Sequence, residues 1–366
     1  MCQRFVFRLL AIVALLVECV TSQAAERPVR LGVVGLEHGH VGWILGRENN
    51  GDVEVVGIAE PDGALAERLR KRFGFAPELV YSRVEGMLDA AKPEAVCVFT
   101  DIGDHLEVIR ACAKRGIDVM VEKPLAVSVE DAREIARLAE EHDIHVLTNY
   151  ETTWYPSVRE ARKALDEGEI GAIRKIVAHD GHEGPKEIGC GPEFLGWLLD
   201  SESRGGGALI DFGCYGANLM TWLMKGDRPQ TVFAVTQKLK TDPAYAGVDD
   251  EATIVLTYPG AQGIIQASWN WPYSRKDLEI YGGKGALFAE NRETLRTKTG
   301  GDVSTEECPP SPPPFDDCFA YLAAVVRGKV DPEGSLSSLP VNVTVVEILD
   351  AARRSADSGK AVPLTP

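Results

Sequence analysis

Between residues 28 and 150, short apolar runs alternate with longer stretches whose apolar positions recur every three to four residues. The runs at 29–34, 53–59, 80–81, 95–99, 118–122 and 145–149 predict strands. The stretches at 64–73, 84–91, 106–115 and 128–141 predict helices, and Leu65 and Leu69 share one face of the first. Ser128-Val129-Glu130-Asp131 has the form of a capping box that opens the last of them. Apolar strands separated by amphipathic helices predict parallel βαβ units, hence an α/β Rossmann-type doubly wound sheet.

Beyond residue 150 the pattern changes. A helix is predicted at 156–165 and a strand at 173–179, followed by a polar, glycine-rich loop at 180–186. One long helix is predicted over 208–224. Strands at 231–239, 250–258, 263–270, 278–281 and 286–289 are spaced as a meander with short turns. Ala252, Ile254, Leu256 and Tyr258 alternate along one face, as in a half-exposed antiparallel strand. Helices at 315–327 and 341–355 close the chain. This half reads as an α+β domain with a large, mostly antiparallel sheet. The expected divisions are 25–150 and 151–366.

The first 24 residues read as an address. Arg4 and Arg8 precede the apolar run 9–17, and Ser22-Gln23-Ala24 is a small-x-small cleavage site. The expectation is export, periplasmic or secreted, after cleavage near Ala24. The apolar run is far short of the roughly 20 residues of a membrane span.

Composition narrows the classes. A chain of 366 residues with 45% hydrophobic and 26% charged positions packs a core, so it is not disordered. Its net charge of −16 argues against nucleic-acid and anionic-lipid partners and favours a small neutral ligand. Six of the eight cysteines lie past residue 24, too few for a disulfide scaffold and without zinc-like Cys/His spacing, so no metal is expected. Cys308 and Cys318, flanking a proline-rich loop, are the candidates for a disulfide; buried thiols are the alternative.

In a doubly wound sheet, ligands sit beyond the carboxyl ends of the strands. Those ends hold Gly35, Leu36, Glu37, His38 and His40, then Glu60, then Thr100, Asp101 and His105, then Glu122 and Lys123, and finally Asn149 and Tyr150. A dinucleotide fingerprint would be Gly-x-Gly-x-x-Gly. Gly35 fits its first position, but Glu37 and His40 replace the second and third glycines. Glu60 is placed to bond a ribose 2′-hydroxyl, and no arginine at 61–64 is present to hold a 2′-phosphate, which favours NAD over NADP. His182 in the glycine-rich loop and Trp271 are candidate substrate contacts, as is Tyr150.

Several blocks, in order, resemble the Gfo/Idh/MocA oxidoreductase family. They are Val121-Glu122-Lys123-Pro124, the stretch from Gly205-Gly206-Gly207 through Asp211 to Tyr215, and Asp249-Asp250-Glu251-Ala252-Thr253. Leu278-Glu279-Ile280-Tyr281-Gly282-Gly283-Lys284-Gly285 and the closing stretch 345–355 also match. The resemblance implies a Rossmann domain, a substrate domain whose open sheet forms a homo-oligomer, and hydride transfer between NAD(P) and a sugar, cyclitol or related hydroxyl compound. It implies that Lys123 lies near the nicotinamide and the substrate hydroxyl, and that Asp211 bonds the substrate. Tyr215 stands where the family's acid/base, most often histidine, is found. A lysine ammonium beside that phenol would lower its pKa from about 10. The alternatives are a redox-neutral NAD-dependent glycosidase or epimerase, and a cofactor-free carbohydrate-binding protein on the same fold.

Overall fold

The computed structural model describes residues 27–200 and 205–364. The expected address at 1–24 lies outside them.

The first sheet follows the apolar pattern. Strands β1 (Val29–Val34), β2 (Val53–Ala59), β3 (Val80–Tyr81), β4 (Ala95–Val98), β5 (Asp118–Glu122) and β6 (Val146–Asn149) pair in the order β3-β2-β1-β4-β5-β6. All the pairings are parallel. The crossover helices are α1 (Val41–Leu45), α2 (Gly63–Phe73), α3 (Val84–Ala91), α4 (His105–Ala113) and α5 (Val129–His142). Ser128 caps α5 as the sequence implies, its Oγ accepting the Asp131 N–H at 3.0 Å. Strand order reverses between β1 and β4, so the crevice opens at their carboxyl ends. Helix α1 is the one crossover that the periodicity does not reveal, because five residues are too short to show a repeat.

The second half adds α6 (Pro156–Asp166), β7 (Ile173–Gly181), α7 (Pro192–Leu198), α8 (Ala208–Asp211), α9 (Gly213–Leu223), β8 (Thr231–Gln237), β9 (Glu251–Tyr258), β10 (Ala261–Ser268), β11 (Arg275–Gly282), β12 (Gly285–Ala289), β13 (Thr294–Thr299), β14 (Asp302–Glu307), α10 (Cys318–Val326), α11 (Leu339–Ser358) and β15 (Val362–Pro363). Its sheet has nine strands in the order β14-β13-β12-β11-β7-β10-β9-β8-β15. The expected simple meander is corrected here. Strand β7 inserts between β10 and β11, parallel to the first and antiparallel to the second. His182, just past its end, thereby lines the crevice.

The expected long helix at 208–224 is also corrected. It breaks at Phe212 into α8 and α9. Gly216 explains how α9 seats so deeply: a Cβ there would lie 2.6 Å from Ile265, so only glycine lets the helix lie against the sheet. Helix α9 is buried nearly all round, between the sheet and α11.

Helix α10 returns to the first sheet, and its Phe319, Leu322 and Val325 share a core with Val29, Leu31 and Ile58. The possible Cys308–Cys318 disulfide is not formed. Cys308 packs in the core of the second sheet and Cys318 in that of the first, so the two thiols belong to different cores. Among the described residues, no helix is long and apolar enough to cross a membrane.

Candidate active site

Strand β5 ends at Glu122 and delivers Lys123 to the crevice, while α8 ends at Asp211 on the facing domain. The two side chains meet as a buried ion pair, Nζ to Oδ1 at 2.5 Å. Trp269 donates its indole N–H to the other carboxylate oxygen at 2.9 Å. Burial alone would push the Asp211 carboxyl up, but the Lys123 ammonium outweighs it and holds the group below the usual range. Lys123 is the mirror case: desolvation favours the neutral amine, and Asp211 reverses this and raises the pKa. The pair is therefore charged, and it ties the two domains together at the crevice floor.

Tyr215 lies in the first turn of α9. The Lys123 ammonium sits 5.5 Å from its ring centroid, over the face rather than at the hydroxyl. Burial, with Glu151, Cys214 and Asp211 nearby, pushes the phenol well above 10. This corrects the expectation of a lysine-stabilised phenolate, because Asp211 has already engaged the ammonium. Tyr215 is a neutral phenol here.

A cleft of about 500 Å³ joins this floor to the glycine loop. Leu36, Glu37, His38 and His40 line one side; Lys123, His182, Asp211 and Tyr215 line the other. Lys276 also lines it, bonded to Glu151 at 2.6 Å. Gly35 shows why the loop starts with glycine: its φ is +76°, and a Cβ would lie 2.6 Å from the Thr100 side chain.

Helix α7, which the sequence reading did not identify, straps the cleft. Phe194 packs edge-on against His38 with centroids 4.7 Å apart, and Arg68 of α2 pairs with Glu193 at 2.7 Å. Trp197 completes the aromatic cover, 6.3 Å from His38. Arg68 and Arg72 both reach the cleft, although the sequence stretch just after Glu60 shows no arginine.

The other expected residues stand behind the cleft wall. Glu60 accepts the Leu36 N–H at 2.9 Å and the Asp62 N–H at 2.8 Å, so it braces the glycine loop from below. Burial raises its pKa against those two bonds. Asp101 accepts the Asp104 N–H at 3.2 Å, Thr100 donates to the Asp101 carbonyl at 2.9 Å, and His105 contacts the Leu125 carbonyl at 3.1 Å. Tyr150 is fully buried, edge-on behind Tyr215 at 5.4 Å. Trp271 does not line the cleft: it packs under Arg275, 4.6 Å from its ring, with His179 beside it. Of the three expected substrate contacts, His182 therefore lines the cleft, and Tyr150 and Trp271 do not. Packing neighbours from distant strands decide these positions, and no local motif carries that information.

A hydrogen-bonded chain runs below the loop. Trp154 donates to Asn149 at 2.9 Å, Asn149 donates to Glu122 at 2.8 Å, and His40 Nδ1 meets the other Glu122 oxygen at 3.0 Å. His38 Nε2 is buried without a hydrogen-bond partner, 4.0 Å from Glu122. Burial lowers the His38 pKa well below 6.5, so the ring is neutral. Its Nδ1 accepts the His40 N–H at 3.2 Å, which puts the proton on Nε2 as a donor.

The comparisons with known proteins identify the family. Residues 29–150 match the model of the oxidoreductase family with an NAD-binding Rossmann fold, and residues 158–288 match the GFO/IDH/MocA C-terminal domain. The chain belongs to the Gfo/Idh/MocA family. It is 24% identical over 357 residues to an inositol 2-dehydrogenase of Rhizobium meliloti, covering 92% of this chain and 99% of the relative. It is 26% identical over 326 residues to D-xylose 1-dehydrogenase (NADP(+)) 2 of Haloferax volcanii, covering 85% and 92%. Among solved structures, an inositol dehydrogenase homolog from Azotobacter vinelandii complexed with NAD+ superposes with TM-score 0.79 at 21% identity, covering 92% and 98%. Aldose-aldose oxidoreductase from Caulobacter crescentus superposes with TM-score 0.77 at 21% identity, covering 92% and 100%. This Gfo/Idh/MocA chain is an NAD-dependent oxidoreductase. The residues present fit a dinucleotide: Gly35 permits close approach, and the unpartnered His38 Nε2–H supplies a buried donor where the second glycine is lost.

Proposed function

We propose that this enzyme transfers hydride between NAD and a hydroxyl-bearing carbon of a neutral sugar or cyclitol. The observation that carries this reading is the single cleft joining the glycine loop to the Lys123–Asp211 pair. The nicotinamide, when bound, accepts or returns the hydride. Lys123 is a fixed ammonium and stabilises negative charge on the reacting oxygen as its proton leaves. Asp211, held by Trp269, orients Lys123 and completes the polar floor. Tyr215 and His182 are donors that position hydroxyl groups: His182 Nδ1 accepts the Gly184 N–H at 2.9 Å, and burial keeps that ring neutral. The inositol and xylose dehydrogenases among its relatives support the substrate class.

The test is NADH formation with myo-inositol, D-glucose and D-xylose. Turnover of one of them that Lys123→Met lowers by about 100-fold or more supports the assignment. Unchanged turnover in Lys123→Met refutes the role of the pair.

A redox-neutral cycle on retained cofactor is the second reading, favoured by the α7 strap across the cleft. We also propose that residues 1–24 direct export, supported by Arg4, Arg8, the apolar run 9–17 and Ser22-Gln23-Ala24. The open face of the nine-stranded sheet is the proposed homo-oligomer surface.

A further inference from the structure

The position that holds the family's acid/base carries Tyr215, and no group on the floor of the cleft accepts a proton at neutral pH. Tyr215 is a phenol held well above 10. Lys123 is an ammonium, and Asp211 is engaged by Lys123 and Trp269. His182 has its Nδ1 lone pair occupied by the Gly184 N–H, so its Nε2 bears the proton.

His40 is built differently. Its Nδ1 lies 3.0 Å from Glu122, whose other oxygen is fixed by Asn149 at 2.8 Å, and Asn149 is fixed in turn by Trp154. The Trp43 indole stacks on the imidazole with centroids 3.7 Å apart and planes 16° from parallel. The ring is thus held along one edge and one face. Glu122 is held as a carboxylate, below its usual range: burial would raise its pKa, but the facing imidazoles and the hydrogen bonds it accepts from His40 and Asn149 outweigh burial. The proton therefore stays on Nδ1, between the two. Nε2 keeps its lone pair and has no hydrogen-bond partner among the described residues. The side chain is 21% exposed and lines the cleft together with Lys123, Asp211 and Tyr215.

We propose that His40, positioned by Glu122, is the general base of this cleft. The proposal rests on the hydride-transfer reading above. In the oxidative direction His40 Nε2 takes the proton of the substrate O–H, the carbon gives its hydride to NAD+, and the C–O bond becomes a carbonyl. The resulting imidazolium is stabilised by Glu122, as in other carboxylate–histidine pairs. NADH and the protonated His40 balance the step. The titratable groups that act on the ring are Glu122 on β5, His38 in the same loop and Glu151 after β6, while Lys123, Asp211 and, on α2, Arg68 and Arg72 share its cleft. Lys276 neutralises Glu151. Glu122 is the nearest anion and dominates.

His38, His40 and Glu122 also place ligand atoms within 4.8 Å of one another. The His38 Nδ1 acceptor bond decides against a metal ion, because a ring bound through Nε2 would need its proton on that Nδ1.

The experiment uses full-length holoenzyme with His40→Gln, Glu122→Gln and Tyr215→Phe. The probe substrates are myo-inositol, D-glucose and D-xylose, and NAD+ affinity is measured separately by calorimetry. His40→Gln should lower kcat by about 100-fold or more, remove the acid limb of the pH profile and leave the NAD+ Kd within about threefold. Glu122→Gln should move that limb to lower pH, and Tyr215→Phe should retain it. Nitrogen NMR of labelled imidazoles should show His40 with its proton on Nδ1 and an unprotonated Nε2. A kcat within about threefold of wild type in His40→Gln overturns the proposal, as does a loss matched by equal loss of NAD+ affinity. A proton on Nε2, or a metal ion on the ring, overturns it as well. Wild-type protein that turns over none of the probes counts against the hydride-transfer reading instead, and the NMR result then decides the histidine–carboxylate pair by itself.

Discussion

At the residue scale the Lys123–Asp211 pair is the most consequential contact, because both charges are buried and each compensates the other. Removing one partner strands a charge, whereas removing both does not. Lys123→Met is therefore expected to destabilise the protein by about 3–5 kcal/mol, and the double variant Lys123→Met/Asp211→Leu to recover most of that loss in chemical denaturation. Equal destabilisation of single and double variants would show that the pair is uncoupled. The pH dependence follows from the two directions of shift. Asp211 titrates below its unfolded value, so its contribution is complete above about pH 4 and is lost as pH falls through the folded pKa. Lys123 titrates above its unfolded value, so its contribution is complete below about pH 10 and is lost as pH rises through the folded pKa. Much of this was legible in the sequence. Lys123 and Asp211 stand in short blocks at a strand end and a helix start. Trp269 and Lys276 were not legible, because register across β10 and β11 brings them in and no local pattern encodes it.

At the scale of elements, the apolar runs locate the parallel strands because each is buried on both faces. The same logic explains the omissions. β14 reads Asp302-Val303-Ser304-Thr305-Glu306-Glu307 and is exposed throughout, so it has no apolar face to give a period. α7 is seven residues long without a side-chain cap, and its Phe194 and Trp197 look like loop aromatics until His38 is beneath them. This strap makes a prediction of its own. The Arg68–Glu193 pair is half exposed and contributes no more than about 1 kcal/mol, so Glu193→Lys should leave thermal stability nearly unchanged. It should nevertheless speed NAD release by about tenfold in stopped-flow fluorescence, since like charges then hold the strap away from α2. Unchanged release would show that α7 does not gate the cofactor.

At the scale of the whole molecule, one face of the nine-stranded sheet is left without helices. Register sets Phe233, Val255, Ile264 and Val177 in a row across four strands of that face. Phe233 is 36% exposed and Val235 is 52% exposed. If this surface joins copies, Phe233→Asp/Val235→Asp should halve the mass seen by light scattering while circular dichroism is retained. An unchanged mass would place the interface elsewhere. The net charge of −16 adds that association should strengthen with salt, as repulsion between like-charged copies is screened. Expression of the complete chain in a secreting host is expected to yield a mature protein starting just after Ala24, read by intact-mass spectrometry. A retained Met1 would remove the export proposal.

All of these expectations depend on a dinucleotide occupying a glycine loop that has lost two of its three glycines. The most direct measurement is mass spectrometry of the small molecules released when purified protein is denatured, paired with calorimetric titration of NAD+ and NADP+ into the stripped protein. The predicted result is NAD or NADH from the denatured protein and one NAD+ bound per chain, more tightly than NADP+. Protein that releases no nicotinamide and binds neither dinucleotide would contradict the account.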